Sequence, residues 1–201
     1  MKCGLPMNSS RTLILREPSL PTGVPDLVAV ELRDHWKKVA NGRRKLHLPH
    51  LQVLHFLNDF GPATELDIVR LLNFPSRETS TVVGDLLEAC LVTRRCDEIL
   101  ARPTSEVFVA RRIVAIEAKM RAWRDALEQA AGNLWFASHS YVLVPALRCL
   151  RAIAVEARKL GVGVLVFDGK RTRTVVCPRK QAIPASYGSW LINEWAVQQL
   201  R

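Results

Sequence analysis

Glu117 and Lys119 are the residues whose types and spacing are best suited to chemistry. They end an apolar, β-branched run, residues 113–116, that is typical of a buried strand. Two positions apart on a pleated strand, a carboxylate and an amine project from the same face and can reach a common ligand. A helical pattern follows from Met120 to about Phe136. The strand is therefore expected to deliver both groups to one edge of a sheet, an arrangement found in many active sites.

The triplet Glu117-Ala118-Lys119, placed between a strand and a helix, resembles the acidic-x-Lys motif of the PD-(D/E)XK superfamily, the restriction-endonuclease-like fold. Gln129 lies ten residues beyond Lys119, where exonuclease and resolvase members often carry a Gln-x-x-x-Tyr motif. Asn133 stands in place of the tyrosine, so only Gln129 carries over. The resemblance spans roughly residues 95 to 170.

The resemblance implies metal-assisted hydrolysis of a phosphodiester. The metal offsets charge on the phosphate and lowers the pKa of the attacking water, and Mg²⁺ is held by one or two carboxylates plus waters. Glu117 is the expected ligand of Mg²⁺ or Mn²⁺, with the Ala118 carbonyl as another. Lys119 is expected to orient the water or to stabilise negative charge, and Gln129 to support the site or contact a phosphate. The alternative is a solvated ion pair, worth under about 1 kcal/mol.

The motif also requires an upstream acid on the neighbouring strand, which would be the second metal ligand. The preferred candidate is Asp97, on the strand before, followed by Glu106, on an expected hairpin partner of the Glu117 strand. Pro25-Asp26 matches the dipeptide that gives the motif its name. It precedes a helical pattern, however, so Asp26 is assigned as a helix N-cap.

A second acidic-x-Lys triplet occurs at Asp168-Gly169-Lys170. Asp-Gly favours the positive φ angles of a hairpin turn, so this copy is expected to join two strands.

The N-terminal half carries three short helical patterns, at Pro49 to Phe60, Ala63 to Leu72 and Ser76 to Cys90. Thr64 and Asp67 have capping-box spacing, and strand-like residues continue to Val109. This order resembles the winged helix-turn-helix of many bacterial regulators, which implies DNA binding.

Within that resemblance, the Ser76 to Cys90 pattern is the recognition helix and the following strands form the wing. Glu78, Asp85 and Glu88 on the same helix would repel a phosphate backbone. Use of the domain for dimerisation or as a scaffold is therefore the alternative. The expected contacts to bases or phosphates are Arg77, Thr79, Ser80, Thr81, Arg94, Arg95 and Arg102.

The predicted fold class is α/β (α+β overall), an N-terminal winged helix followed by a mixed-sheet, restriction-endonuclease-like core. Three segments are expected: an arm and helix over residues 1–45, a winged helix-turn-helix domain over 46–95, and a nuclease-like domain over 96–201.

The composition favours a polyanionic partner. Lys and Arg outnumber Asp and Glu by 29 to 19, giving a formal charge of +10, and nucleic acid, DNA in particular, is the expected partner. A basic surface kept for solubility is the alternative. The five cysteines form no Cys-x-x-Cys pair, which favours a reduced, cytoplasmic chain, and no membrane association is expected. Homodimer formation is left open.

Two functional hypotheses result. In the first, a DNA-binding module positions a Mg²⁺-dependent deoxyribonuclease domain. In the second, a non-catalytic winged-helix regulator binds DNA, and its α/β domain dimerises or senses a ligand.

Overall fold

A computed structural model describes residues 11–41, 45–146 and 149–200. In chain order the elements are β1 (Thr12–Arg16), β2 (Leu27–Leu32), α1 (Trp36–Ala40), α2 (Leu48–Phe60), β3 (Ala63–Thr64), α3 (Glu65–Leu72), α4 (Ser76–Glu88), β4 (Val92–Arg95), β5 (Glu98–Ala101), α5 (Thr104–Val107), β6 (Ala110–Ala118), α6 (Trp123–Gly132), β7 (His139–Pro145), α7 (Leu150–Leu160), β8 (Gly163–Phe167), β9 (Thr172–Val176) and α8 (Tyr187–Gln199). A 3₁₀ turn at Asn133–Trp135 follows α6.

The described residues divide into two compact units. The sheet unit lies within Met1–Arg33 and Ala110–Pro184, and the helical unit within Asp34–Val109 and Ala185–Arg201. This division differs from the expected segments 1–45, 46–95 and 96–201. The sheet unit combines residues from before the helical unit with residues that begin only at Ala110. None of the helices in the described ranges combines the length and the apolar character of a membrane span.

The sheet unit contains a six-stranded mixed sheet in the order β1-β2-β6-β7-β8-β9. The pairings of β1 with β2, β2 with β6, and β8 with β9 are antiparallel, whereas β6, β7 and β8 run parallel. The expected α/β class with a mixed sheet is confirmed at this level. Asp168 and Gly169 lie in the β8–β9 turn, as predicted, and the Asp168 carboxylate accepts hydrogen bonds from two backbone N–H groups there.

The helix expected to begin at Asp26 is wrong. Residues 27–32 form β2, an interior strand of the sheet, where Val28 and Val30 are completely buried. A continuous apolar run with β-branched residues is typical of a strand covered on both faces, and burying each valine contributes about 1.5–3 kcal/mol. Of the predicted helix, only the short segment α1 forms.

The expected hairpin, in which a strand carrying Glu106 would turn at Arg111-Arg112 and pair with the Glu117 strand, is also wrong. Strand β6 runs without interruption from Ala110 to Ala118, and Glu106 lies on the helix α5 rather than on a strand. The antiparallel partner of β6 is β2. Arg112 and Glu31 face each other across this pairing, and the Arg112 Nε donates to the Glu31 carboxylate at 2.7 Å. This largely buried ion pair favours the register that continues to Asp26.

Helices α6 and α7 cover one face of the sheet. Their small and apolar residues, among them Ala126, Ala130 and Ile153, form one cluster with Val142 and Val164 of the parallel strands. The α6 helix and its 3₁₀ turn therefore lie against the sheet close to the end of β6, where Glu117 is located.

The helical unit contains α2, α3 and α4 and a three-stranded antiparallel sheet in the order β3-β5-β4. The predicted capping box is confirmed, since the Thr64 hydroxyl accepts from the Asp67 N–H and the Asp67 carboxylate accepts from the Thr64 N–H. The last helix, α8, packs in the same unit, with Trp190 fully buried edge-on against Phe108.

Candidate functional site

Asp26 lies directly before β2, beside the end of β6. The last pair of the β2–β6 register joins Leu27 to Ile116, so Asp26 and Glu117 occupy the next pair of positions. The Asp26 carbonyl accepts a hydrogen bond from the Glu17 N–H at 3.1 Å. Its carboxylate accepts one from the Ala118 N–H at 2.6 Å. Backbone contacts on both sides thus hold Asp26 next to the acidic-x-Lys triplet.

Glu117 is a buried carboxyl group with one amide donor. Only 3% of the residue is exposed, and the Asn133 Nδ2 donates to its Oε1 at 2.7 Å. Burial raises the pKa of Glu117 above its usual range. The Asn133 hydrogen bond opposes this rise, whereas the charge of Asp26 and a hydrogen bond between the two carboxyl groups add to it. The two acids are therefore close enough to compete for one proton.

Lys119 lines a small crevice and also acts electrostatically on Glu117. Its backbone N–H donates to the Leu143 carbonyl at 3.1 Å, which ties the end of β6 to β7. Its ammonium group lowers the pKa of Glu117 and so lies within electrostatic reach of that carboxylate. The expectation that Glu117 and Lys119 act on a common ligand is compatible with this placement.

The donor set suits a hard divalent cation. Asp26 and Glu117 are adjacent carboxyl groups, and when both are ionised their negative charges repel each other. A positive charge between them would stabilise the ionised pair. Mg²⁺ accepts one or two carboxylates and keeps several waters. No group of three or more His, Cys, Asp and Glu side chains placed to hold a metal occurs among the described residues. The remaining ligands would be waters and a backbone carbonyl such as that of Ala118.

The two acids preferred from the sequence do not lie on strands beside Glu117. The neighbours of β6 in the sheet are β2 and β7. Asp97 lies in the turn between β4 and β5, in the three-stranded sheet of the helical unit, and this sheet does not include β6. Glu106 accepts from Arg102 at 2.7 Å, and both residues line a cavity of about 830 Å³ in the helical unit. The strand positions expected for Asp97 and Glu106 are therefore wrong, and Asp26 has the position that was expected of them.

Asn133 contacts Glu117, whereas the expected role of Gln129 stays a prediction. Gln129 is exposed on α6, whereas the Asn133 side chain donates a hydrogen bond to Glu117. The Asn133 carbonyl also accepts from the N–H groups of Phe136 and Ala137, so the turn that carries its side chain is fixed by the backbone.

The residues expected to contact nucleic acid differ in their accessibility. Thr79 is completely buried, and its hydroxyl donates to the Pro75 carbonyl, so the expected contact of its side chain with nucleic acid is wrong. Arg94 and Ser80 both donate to Glu65. These contacts lower the pKa of Glu65. Exposed side chains among the candidates are those of Arg77, Ser80, Thr81, Arg94 and Arg95.

The cysteines within the described residues are in two states. Cys90, Cys96 and Cys149 are free thiols, whereas Cys177 is disulfide-bonded. The expectation of a fully reduced chain is therefore wrong at Cys177.

Sequence reasoning missed Asp26 as a site residue, although two features pointed to it. Pro25-Asp26 matches the named dipeptide, and the next six residues have the strand-like composition described above. The helical spacing of Val28, Leu32, Trp36 and Val39 outweighed both. No sequence feature identified the contact of Asn133 with Glu117.

Comparison of the chain with protein-family models, with curated proteins and with solved structures gives no match.

Proposed function

We propose that this chain is a DNA-binding protein that hydrolyses DNA phosphodiester bonds with Mg²⁺ or Mn²⁺ at Asp26, Glu117 and Lys119. The observation that carries the proposal is the adjacency of Asp26 and Glu117 at the ends of paired strands, with Lys119 beside them. An acid on the strand next to an acidic-x-Lys triplet is the element that the resemblance to the PD-(D/E)XK superfamily requires.

Each side chain has a distinct role in this proposal. Asp26 and Glu117 bind the cation, which when bound supplies a positive charge at the scissile phosphate and lowers the pKa of the attacking water. Asn133 donates to Glu117 Oε1, and Oε2 is the oxygen proposed to bind the cation. Lys119 orients the water or stabilises the negative charge that develops on the phosphate.

The helical unit is proposed to be a winged helix that binds the DNA. The order of its elements, α2-β3-α3-α4-β4-β5, matches the three helices and two wing strands expected from the sequence. The exposed arginines Arg77, Arg94 and Arg95 and the net charge of +10 favour contact with phosphates. The ion pair between Arg94 and Glu65 reduces the charge available at that position.

A cleavage assay tests the proposal. Linear, nicked, supercoiled and branched DNA are incubated with the protein and Mg²⁺ or Mn²⁺, and Asp26→Asn, Glu117→Gln and Lys119→Met are compared with Asp97→Asn and Glu106→Gln. We expect cleavage to be lost in the first three variants and kept in the other two. No cleavage of any substrate, or cleavage unaffected by Glu117→Gln and Lys119→Met, would overturn the proposal.

A DNA-binding assay at several salt concentrations, with and without Mg²⁺, separates the non-catalytic alternative. A regulator whose α/β unit dimerises or senses a ligand would bind DNA in a sequence-selective, salt-sensitive manner. Its binding would not depend on Mg²⁺ or on Asp26.

A further inference from the structure

We propose that the crevice at the carboxyl ends of β6, β7 and β8 binds one unpaired nucleobase of the DNA strand held beside Glu117 and Lys119. This inference rests on the proposed function and specifies its substrate class. The preferred DNA would have an unpaired nucleotide next to the cleaved bond, as in single strands, flaps and junctions.

The crevice has the size and the lining of an aromatic-ring site. Its volume is about 120 Å³, and Met120, Leu143, Pro145 and Phe167 are among the residues that line it. An apolar cavity of about 150 Å³ takes up a benzene molecule, so the space suits one ring system rather than a larger ligand. The lining favours the flat, apolar face of a base over a phosphate or a sugar.

Two large apolar side chains at the crevice are left in solvent. Met120 is 76% exposed and Phe167 is 44% exposed, although both belong to a unit with a well-packed core. Phenylalanine stacks on any base, and the methionine sulfur makes favourable contacts with aromatic rings. A base bound in the crevice and in contact with these side chains would bury apolar surface that folding leaves exposed.

Lys119 and the shared carboxyl edge of the strands connect the crevice to the acid pair. Leu143 packs on the sheet face opposite to the one where Glu117 contacts Asn133, and by strand alternation Ala118 and Phe167 share the face of Leu143. Ala118 pairs with Leu143 and Pro145 with Phe167 across neighbouring strands, so the crevice lies at the carboxyl edge of the parallel strands. Ligands of open α/β sheets bind at this edge. Lys119 lines the crevice and also lies within electrostatic reach of Glu117. We therefore expect the Lys119 ammonium group to bind a backbone phosphate of the DNA. The crevice would then bind the base of a nucleotide adjacent to that phosphate.

A base within a duplex does not fit this arrangement. It is stacked on both faces and paired at its edge, and extruding it costs a few kcal/mol, with the lowest cost for mismatched or single-stranded positions. The crevice therefore selects DNA whose base is already unpaired.

Binding to three matched probes tests the inference. Fluorescein-labelled single-stranded DNA, the fully paired duplex, and the duplex with one unpaired nucleotide are titrated in Ca²⁺, used here in place of Mg²⁺ to limit cleavage. The wild-type chain is expected to prefer the single strand and the bulged duplex. Phe167→Ala should reduce that preference by about tenfold, as expected for loss of one stacked base, and Phe167→Trp should retain it. Val155→Ala, at a site on α7 that is also 44% exposed, is the control and should change nothing.

The outcomes separate this inference from the proposed function. Equal binding of all three probes, or a preference that Phe167→Ala leaves unchanged, overturns the base site while metal-dependent cleavage can still be observed. A wild-type chain that neither binds nor cleaves any DNA overturns the proposed function, and the base site with it.

Discussion

The carboxylate of Asp26 accepts a hydrogen bond from the backbone N–H of Ala118 at 2.6 Å, although 91 residues separate them in the chain. This bond joins the start of β2 to the end of β6 and brings an acid beside the Glu117-Ala118-Lys119 triplet. Because the carboxyl group of Glu117 is buried next to it, the two acids form a pair whose charges favour a bound cation.

Lys170, in the second acidic-x-Lys triplet, is a matched control for the proposed catalytic role of Lys119. Lys119→Met should lower the rate of DNA cleavage by about 10²–10³-fold, the usual cost of removing one group that stabilises transition-state charge. Mn²⁺ binding should persist, because the acid pair remains. Lys170→Met alters the second acidic-x-Lys triplet, in an exposed hairpin turn, and should leave the rate unchanged. Equal effects of the two substitutions on the cleavage rate would argue against a role for Lys119.

Glu117→Gln should stabilise the chain when no divalent cation is present. Burial raises the pKa of Glu117 in the folded state, so the protonated form favours folding, and this contribution is lost as pH rises through the folded-state pKa. A neutral glutamine avoids the loss. We expect the variant to have the higher Tm above that pKa, with a difference that shrinks toward acidic pH. Each kcal/mol corresponds to about 2–4 °C for a chain of this size.

Thermal unfolding monitored by circular dichroism across pH gives the comparison. Added Mg²⁺ should raise the Tm of the wild-type chain more than that of Glu117→Gln. A variant that is less stable than the wild-type chain at neutral and higher pH, with the difference vanishing at acidic pH, would contradict this prediction and show that the ionised carboxylate is stabilised within the fold.

Asn133→Ala should weaken Mn²⁺ binding in a pH-dependent way. The amide of Asn133 lowers the pKa of Glu117, so its removal raises that pKa further, and binding the cation must displace a more tightly held proton. The loss of affinity should therefore be greatest at acidic pH and decrease as pH rises. Calorimetric titration at several pH values measures it, with Gln129→Ala on the exposed side of α6 as control. A loss of equal size at every pH would point to a misplaced Glu117 rather than to its protonation.

Arg77→Ala and Arg95→Ala should each weaken DNA binding regardless of sequence. If each arginine contacts one phosphate, its removal should reduce the salt dependence of log Kd by about one unit. Fluorescence anisotropy at several salt concentrations gives this slope. Lys159→Met is the control, because Lys159 on α7 already pairs with Glu156. If neither variant changes the slope of log Kd against log salt concentration, Arg77 and Arg95 do not contact the DNA.

The parts of the fold that follow from local sequence were predictable. The capping box at Thr64, the Asp168-Gly169 turn and the end of α7 at Gly161 each depend on residues close together in the chain. The mixed sheet also follows from the alternation of apolar strands and helical patterns in the second half. Glu117 and Lys119 were identified because a strand, two chemical groups and a helix are consecutive.

The partner of Glu117 was not predictable by the same reasoning. The chain leaves the sheet after Leu32 and returns to it at Ala110. The strand β2 that pairs with β6 is therefore far from it in the sequence, and reasoning from nearby segments does not find it. Asp97 and Glu106 are closer in the chain, but they belong to the helical unit. Which strands pair is decided by burial of the apolar residues of β2 on both sides, a tertiary effect that overrides local periodicity.

Mn²⁺ titration by isothermal calorimetry at neutral pH tests most directly whether Asp26 and Glu117 share one cation. We predict one Mn²⁺ site in the wild-type chain, and its loss in both Asp26→Asn and Glu117→Gln. The site should be retained in the control Asp168→Asn, which alters an acid of the β8–β9 turn. Mn²⁺ binding by Asp26→Asn with wild-type affinity would contradict it.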